Sequence, residues 1–292
     1  MKSKVFFTKR TDAEGLLKLY EALGVELRGN VAVKLHSGEK GNQNFVKPEF
    51  VRPIIDLVHG TVVECNTAYE GARNTTSKHL ELMQHHGWTK YFRVDILDAE
   101  KDIEIAIPNG KRIHKNILGA GIQNYDSMLV LSHFKGHPMG GFGGAIKQLS
   151  IGCASSAGKA YIHSAGTVTD QNILWDHIAE QDHFLESMAD AAASVVDYFK
   201  GNMIFINMLV NLSVDCDCCA VAEDPCMQDI GMMISLDPLA IDQACIDMIY
   251  ASKDRGRDHF VERVERQHGL HTLEASADLG FGSREYELIC LE

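Results

Sequence analysis

Apolar runs of strand length alternate along this chain with segments of helical period, and that alternation restricts it to an α/β fold. Lys4 to Thr8 reads as a first strand. A helix to about Leu23 follows, with Thr11 and Glu14 at capping-box spacing and Gly24 as its stop. Val31 to Leu35 is a short buried strand, and Pro48 suits the first turn of a helix ending near His59 and Gly60. Thr61 to Cys65 is another strand, and a helix spans about Thr75 to His86 before Gly87. Short strands flank a turn at Pro108-Asn109-Gly110 between Val94 and Ile113. Ser127 to Ser132 is a strand that runs into the loop HFKGHPMGGFGG, and a helix starts near Gly144. Asp182 to Phe199 is helical, Met203 to Ile206 is a strand, and Gly231 to Ser235 another, with a long cysteine-bearing loop between them. Asp237 and Pro238 then open a helix as N-cap and first position. A helix near Asp258 to Gln267 and a strand from Tyr286 to Leu291 end the series. The expected architecture is a mostly parallel or mixed sheet flanked by helices in Rossmann-like layers. Residues 1–292 form one unit, or two lobes of about 1–125 and 126–292 with a site between them.

Several strands run straight into chemically capable residues. Leu35 leads to His36, Val63 to Glu64, Cys65 and Asn66, Leu131 to Ser132 and His133, and Ile206 to Asn207. In open parallel sheets ligands bind beyond the carboxyl ends of the strands, so these loops are expected to converge on one site. The net charge of −12 repels phosphate backbones and argues against nucleic-acid binding. No segment approaches the run of about 18 apolar residues that spans a membrane, and the N-terminus lacks a signal-length apolar stretch. The chain therefore reads as cytoplasmic, where its eight cysteines are thiols rather than disulfides.

Four of the eight fall within eleven residues, in Asp215 to Cys226, DCDCCAVAEDPC. Thiolates bind zinc and iron well, so Cys216, Cys218, Cys219 and Cys226 are candidate metal ligands, with Asp215 and His163 as further candidates. The spacing matches neither a zinc ribbon nor a ferredoxin run, which leaves a transition metal, zinc or an iron–sulfur cluster open. Adjacent Cys218 and Cys219 rarely hold one ion together, so one of them is a spare or redox-active thiol. In SHFKGHP, His133 and His137 stand four apart, but Gly136 and Pro138 break a helix there and exclude a zincin pair. On a loop, His133, Lys135 and His137 can serve as ligand, proton carrier or charge partner, and Lys147 completes the candidate catalytic set. Gly140, Gly141, Gly143 and Gly144 permit close backbone approach and are the candidate cofactor-binding positions, ahead of a helix start that suits an anion. GGFGGAIK is not a dinucleotide fingerprint and GCASSAGKA is not a Walker A loop.

The segments SHFKGHPMGGFGGAIKQLSIGCASSAGK and NLSVDCDCCAVAEDPCMQDIGMMISLDPLAIDQACIDMI resemble family 362 among the domains of unknown function. HSGEKGNQNFVKPEFVRPIIDLV and ECNTAYEGARNTT look like the same family, so the likeness spans nearly the whole chain. Its members often carry the label "Fe–S center protein", which implies an iron–sulfur protein. Many relatives hold a ferredoxin-like insert with two CxxCxxC runs. This chain has no cysteine between His163 and Gly201 and reads as a shorter form. The expected function is a metal-binding protein, iron–sulfur among the options, working as a redox or metal-dependent enzyme on a small anionic substrate. An oxidoreductase with an electron-transfer partner is one form of that reading. The alternatives are a non-catalytic metal carrier or sensor, and a metal-free enzyme of small molecules.

Overall fold

The computed structural model of the protein describes residues 2–292. The chain opens with β1 (Ser3–Thr8), α1 (Ala13–Leu23), β2 (Val31–Lys34), α2 (Pro48–Leu57), β3 (Thr61–Glu64), α3 (Thr76–His85), a one-turn α4 (Trp88–Tyr91) and β4 (Val94–Ile96). A hairpin of β5 (Asp102–Ala106) and β6 (Lys115–Gly119) precedes β7 (Ser127–His133). A second small hairpin, β8 (Lys135–His137) and β9 (Gly141–Gly143), leads into α5 (Ala145–Cys153), α6 (Ser156–His163) and α7 (Gln181–Phe199). Then come β10 (Met203–Leu209), β11 (Gly231–Ser235), α8 (Pro238–Ala251), α9 (Arg257–Arg266), α10 (His271–Leu279) and β12 (Tyr286–Cys290).

Eight strands form one mixed sheet in the order β12-β1-β11-β10-β7-β2-β3-β4. Within it β11 alone runs against the rest, antiparallel to both β1 and β10. The other pairings are parallel. Strands from both halves of the chain share this sheet, since β2 pairs directly with β7.

Successive side chains of a strand point to opposite faces, and both faces are covered. On β7, Met128 and Val130 pack with α5, α7 and α8, whereas Leu129 and Leu131 pack with α1, α2 and α4. On β10, Met203 and Phe205 join the first core, and Ile204 and Ile206 the second. This two-sided burial explains why the central strands read as continuous apolar runs. Among the described residues no helix is long and apolar enough to cross a membrane.

Of the helix starts read from the sequence, that of α8 holds and that of α1 shifts by one residue, while α6 and α10 were not read as helices. Asp237 caps α8 through Leu239 and Ala240, with Pro238 in the first turn. At α1 the cap is Asp12 rather than Thr11. The Asp12 carboxylate accepts from the Gly15 amide at 2.9 Å, and it outcompetes a hydroxyl one residue earlier as a charged acceptor at a helix start. The segment read as a plain loop after Ser132 carries the β8–β9 hairpin.

Candidate functional site

The strand order turns outward in both directions from β2 and β7: β3 and β4 lie to one side, β10 and β11 to the other. Beyond the carboxyl ends of β2 and β3 opens a cavity of about 210 Å³. This is the switch-point crevice in which open α/β sheets bind ligands. Its wall takes Lys34 and His36 from the end of β2, Glu64 and Cys65 from β3, and His137 from β8. Lys147 and Gln148 enter from α5, Lys159 and His163 from α6, and Cys218 from the cysteine loop. Leu174, Trp175, Ile151 and Met139 supply apolar surface, and Trp175 is exposed at the rim.

Lys34, Arg73, Lys147 and Lys159 bring four cations to this wall, against the single carboxylate of Glu64. Lys34, fully buried, lies 3.4 Å from Glu64 and 3.3 Å from the Gln148 carbonyl. Glu64 also accepts the Ser37 amide at 2.7 Å. Burial alone raises its carboxyl, but Lys34 and the neighbouring His79 and His36 hold it well below the usual carboxylate range. Arg73 is committed to Glu39 at 3.1 Å and to the Tyr69 hydroxyl at 2.8 Å. Lys159 donates to the Ala154 carbonyl at 2.6 Å and meets no carboxylate, and the half-buried Lys147 ammonium has no partner among the described residues. The cavity therefore carries a surplus of positive charge.

The cysteine loop closes one side. His137, Cys216 and Cys218 place a ring nitrogen and two sulfurs within 4.8 Å of one another, so this group could hold a metal ion. The His137 Nε2 lies 3.8 Å from the Cys218 Sγ. Its Nδ1 accepts the amides of Met139 and Gly140 at 3.1 and 2.8 Å, which puts the hydrogen of the neutral ring on Nε2. Burial, aided by Lys147, lowers the His137 ring to about 4. Burial, together with the neighbouring Cys218, pushes the Cys216 thiol up to about 11, and Lys147 and His137 offset this only in part.

Asp217, between the two cysteines, fixes the loop. It is fully buried, 2.9 Å from His133 Nδ1 and 3.1 Å from the Lys135 ammonium. Burial raises its carboxyl, but His133 and Lys135 outweigh that and hold it far below the usual range. His133 turns its other nitrogen to the Val210 carbonyl at 2.6 Å, so both ring nitrogens face acceptors and neither is left for a metal. The Asp217 carbonyl takes the Glu39 amide at 2.8 Å, and Asn42 donates to the Cys216 and Cys219 carbonyls at 3.3 and 2.9 Å.

Gly136 makes this docking possible. A Cβ there would stand 2.2 Å from the Val214 carbonyl oxygen and 2.5 Å from Val214 Cα. Gly136→Ala is therefore expected to push the loop outward, costing about 1–3 kcal/mol in urea unfolding. It should also speed labelling of the buried Cys216 by a thiol reagent. Unchanged labelling would mean that the loop does not rest on this contact.

The remaining sequence candidates lie as follows. Cys219, half-buried, adjoins Cys218 outside the group of three. Cys226 stands apart: its thiol donates to the Leu212 carbonyl at 3.3 Å and packs against the larger core. Asp215 pairs with the buried Arg263 at 2.9 Å and takes the Glu223 amide at 3.0 Å. His163 is on the cavity wall but outside the metal-capable group. Gly140 and Gly141 pack against Gly269, and Gly143 lies under Lys147 and Lys135. At Gly144 a Cβ would meet the Asp242 carboxylate at 2.3 Å. That carboxylate accepts the first amides of α5, from Ala145 and Ile146, at 2.7 and 3.0 Å. The helix start expected to greet an anion is thus taken by a side chain of the protein itself. Gln148, Tyr69 and Trp175 were not legible as site residues. Only Trp175 left a trace, as one of two tryptophans, set in a polar stretch.

A family model described as "Domain of unknown function (DUF362)" matches residues 31–247, and the chain belongs to that family. No curated protein matches. Among solved structures the chain is similar to the lactate racemase apoprotein of Thermoanaerobacterium thermosaccharolyticum, at 13% identity and a TM-score of 0.41, over 70% of this chain and 50% of that one. It is also similar to a Thermotoga maritima protein, at 11% identity and a TM-score of 0.44, over 91% and 58%. The chain thus spans about half the length of the structures it matches.

Proposed function

We propose that the chain is an enzyme that binds a small anionic molecule in the cationic cavity and carries a soft transition metal on the cavity wall. The observation that carries this reading is shared membership: His137 and Cys218 belong both to the cavity wall and to the group that could hold a metal. Two thiols and an imidazole form a soft donor set, which suits zinc, nickel, copper or an iron–sulfur centre over magnesium or calcium. Cys216, Cys218 and His137 would hold the ion, and Cys219 is the nearest further thiol for a cluster. A metal there would supply a Lewis acid or an electron carrier beside the bound anion. Lys147 and Lys159 orient the anion, and the Asp217 network keeps the thiols in place. Redox chemistry with an electron-transfer partner is the iron–sulfur version of this reading.

One observation favours a second reading, a metal-free enzyme. With Nδ1 accepting two amides, His137 presents an N–H to Cys218 rather than a lone pair, so metal binding through Nε2 must displace that hydrogen.

Anaerobic purification after expression with added iron and zinc, followed by elemental analysis and an absorption spectrum, separates the two. The metal reading expects about one equivalent of metal or cluster, lost in Cys216→Ser and Cys218→Ser but kept in Cys226→Ser. Less than about a tenth of an equivalent of any transition metal sinks it in favour of the second.

A further inference from the structure

Three imidazoles line the cavity, and their backbone partners set them differently. His36 Nδ1 accepts the Gly38 amide at 3.0 Å, and His137 Nδ1 accepts two amides, so each of these neutral rings turns an N–H outward on Nε2. His163 is reversed. Its Nδ1 lies 2.7 Å from the Lys159 carbonyl, which can only accept, so Nδ1 carries the hydrogen and Nε2 carries the lone pair. Stacking on Phe184, with centroids 4.8 Å apart and planes at 22°, fixes the ring. Nε2 has no donor among the described residues. Burial, then Lys147 and Lys159, lowers the ring to about 4, so it is neutral at pH 7.

A second observation points to a ligand beside it. Gln148 is 7% exposed, its carbonyl serves Lys34, and its amide nitrogen is buried at the cavity without an acceptor. Lys147, next along α5, is a cation without a counter-charge. Both residues line the cavity, and an unmet N–H and an unmet ammonium on one wall suit a carboxylate.

We propose that His163 is the proton acceptor of this site and that its substrate is a small 2-oxocarboxylate, held through its carboxylate by Lys147 and Gln148. The proposal rests on the reading of the cavity as the substrate site. In the step, the C–H bond next to the ketone breaks, and its proton forms an N–H bond on His163 Nε2. The electron pair stays on the substrate as an enolate, which Lys159 stabilises by charge. No oxidant is consumed. The bound carboxylate offsets the Lys147 charge that depresses the ring, so binding makes His163 a stronger base.

The test uses the full chain in D2O with pyruvate, 2-oxobutyrate and 2-oxoglutarate, reading C–H exchange by proton NMR and affinity by titration calorimetry. His163→Asn keeps an N–H for the Lys159 carbonyl and removes the base. Its exchange rate is expected to fall about 10²–10⁴-fold with affinity nearly unchanged. The wild-type rate should fall on acidification as the ring takes a proton, and His163→Asn should lack that dependence. Lys147→Met should lose binding. If a 2-oxocarboxylate binds through Lys147 but the wild type gives no exchange, or His163→Asn exchanges equally well, the assignment of His163 is overturned and the cavity reading stands. If none of the three binds, the substrate class is overturned. If phosphate, acetate and malonate also fail to bind through Lys147, the cavity reading falls with it.

Discussion

Asp217→Ala is expected to cost about 3–5 kcal/mol of stability, because it strands two buried partners at once. His133 and Lys135 both lie within hydrogen-bonding distance of this one carboxylate, and all three are nearly inaccessible to water. Urea unfolding should show the loss. A drop under about 1 kcal/mol would place the network among ion pairs that contribute little. The pH dependence follows from the depressed carboxyl. A group whose folded value lies below its unfolded one stabilises fully above the unfolded value of about 3.9 and loses that contribution as pH falls further. Wild-type stability should therefore decline steeply below about pH 4, and the gap between wild type and Asp217→Ala should narrow there.

Asp242 gives the opposite slope. It is fully buried and accepts from Ala145, Ile146 and the Asn207 side chain, the last at 2.7 Å. Burial nevertheless pushes its carboxyl up to about 6. A raised folded value means that the native state holds its proton longer than the unfolded chain. The stability contribution is thus present at about pH 4 and lost as pH rises through about 6. Asp242→Ala should cost about 3 kcal/mol near pH 4.5, by leaving three donors unpaired, and less at pH 7. A cost that grows from pH 4.5 to 7 would reverse the sign and refute the burial argument.

These two aspartates also show where the sequence is readable and where it is silent. Strand ends were legible because buried parallel strands are apolar runs that stop abruptly at a polar residue. His36, Glu64 and Cys65 do line the cavity, whereas Asn66, Ser132, His133 and Asn207, read in the same way, do not. The caps of α8 were legible because Asp-Pro is a local signal. The partners of Asp217 lie more than eighty residues away, and no local pattern links them. The spacing of Asp242 on α8 likewise cannot reveal that the start of α5 lies against it. The cysteine cluster was legible as a cluster, but composition could not separate Cys216 and Cys218, which face His137, from Cys226, which turns to the Leu212 carbonyl. The eight-residue separation carries Cys226 back toward β11, where the loop rejoins the sheet.

That rejoining follows from the one reversed strand. Because β10 and β11 are adjacent and antiparallel, with Leu209 opposite Gly231, residues 210–230 leave and return at neighbouring points about 4.8 Å apart. A parallel neighbour would have needed a crossover through a covering layer, binding the thiol-bearing segment into the scaffold. Here the segment is a hairpin excursion, closed on itself by the Cys226 amide to the Leu212 carbonyl at 2.9 Å. Its length and ligand content can therefore change by insertion or deletion without rethreading a single strand, so that one scaffold can be refitted with a different thiol loop.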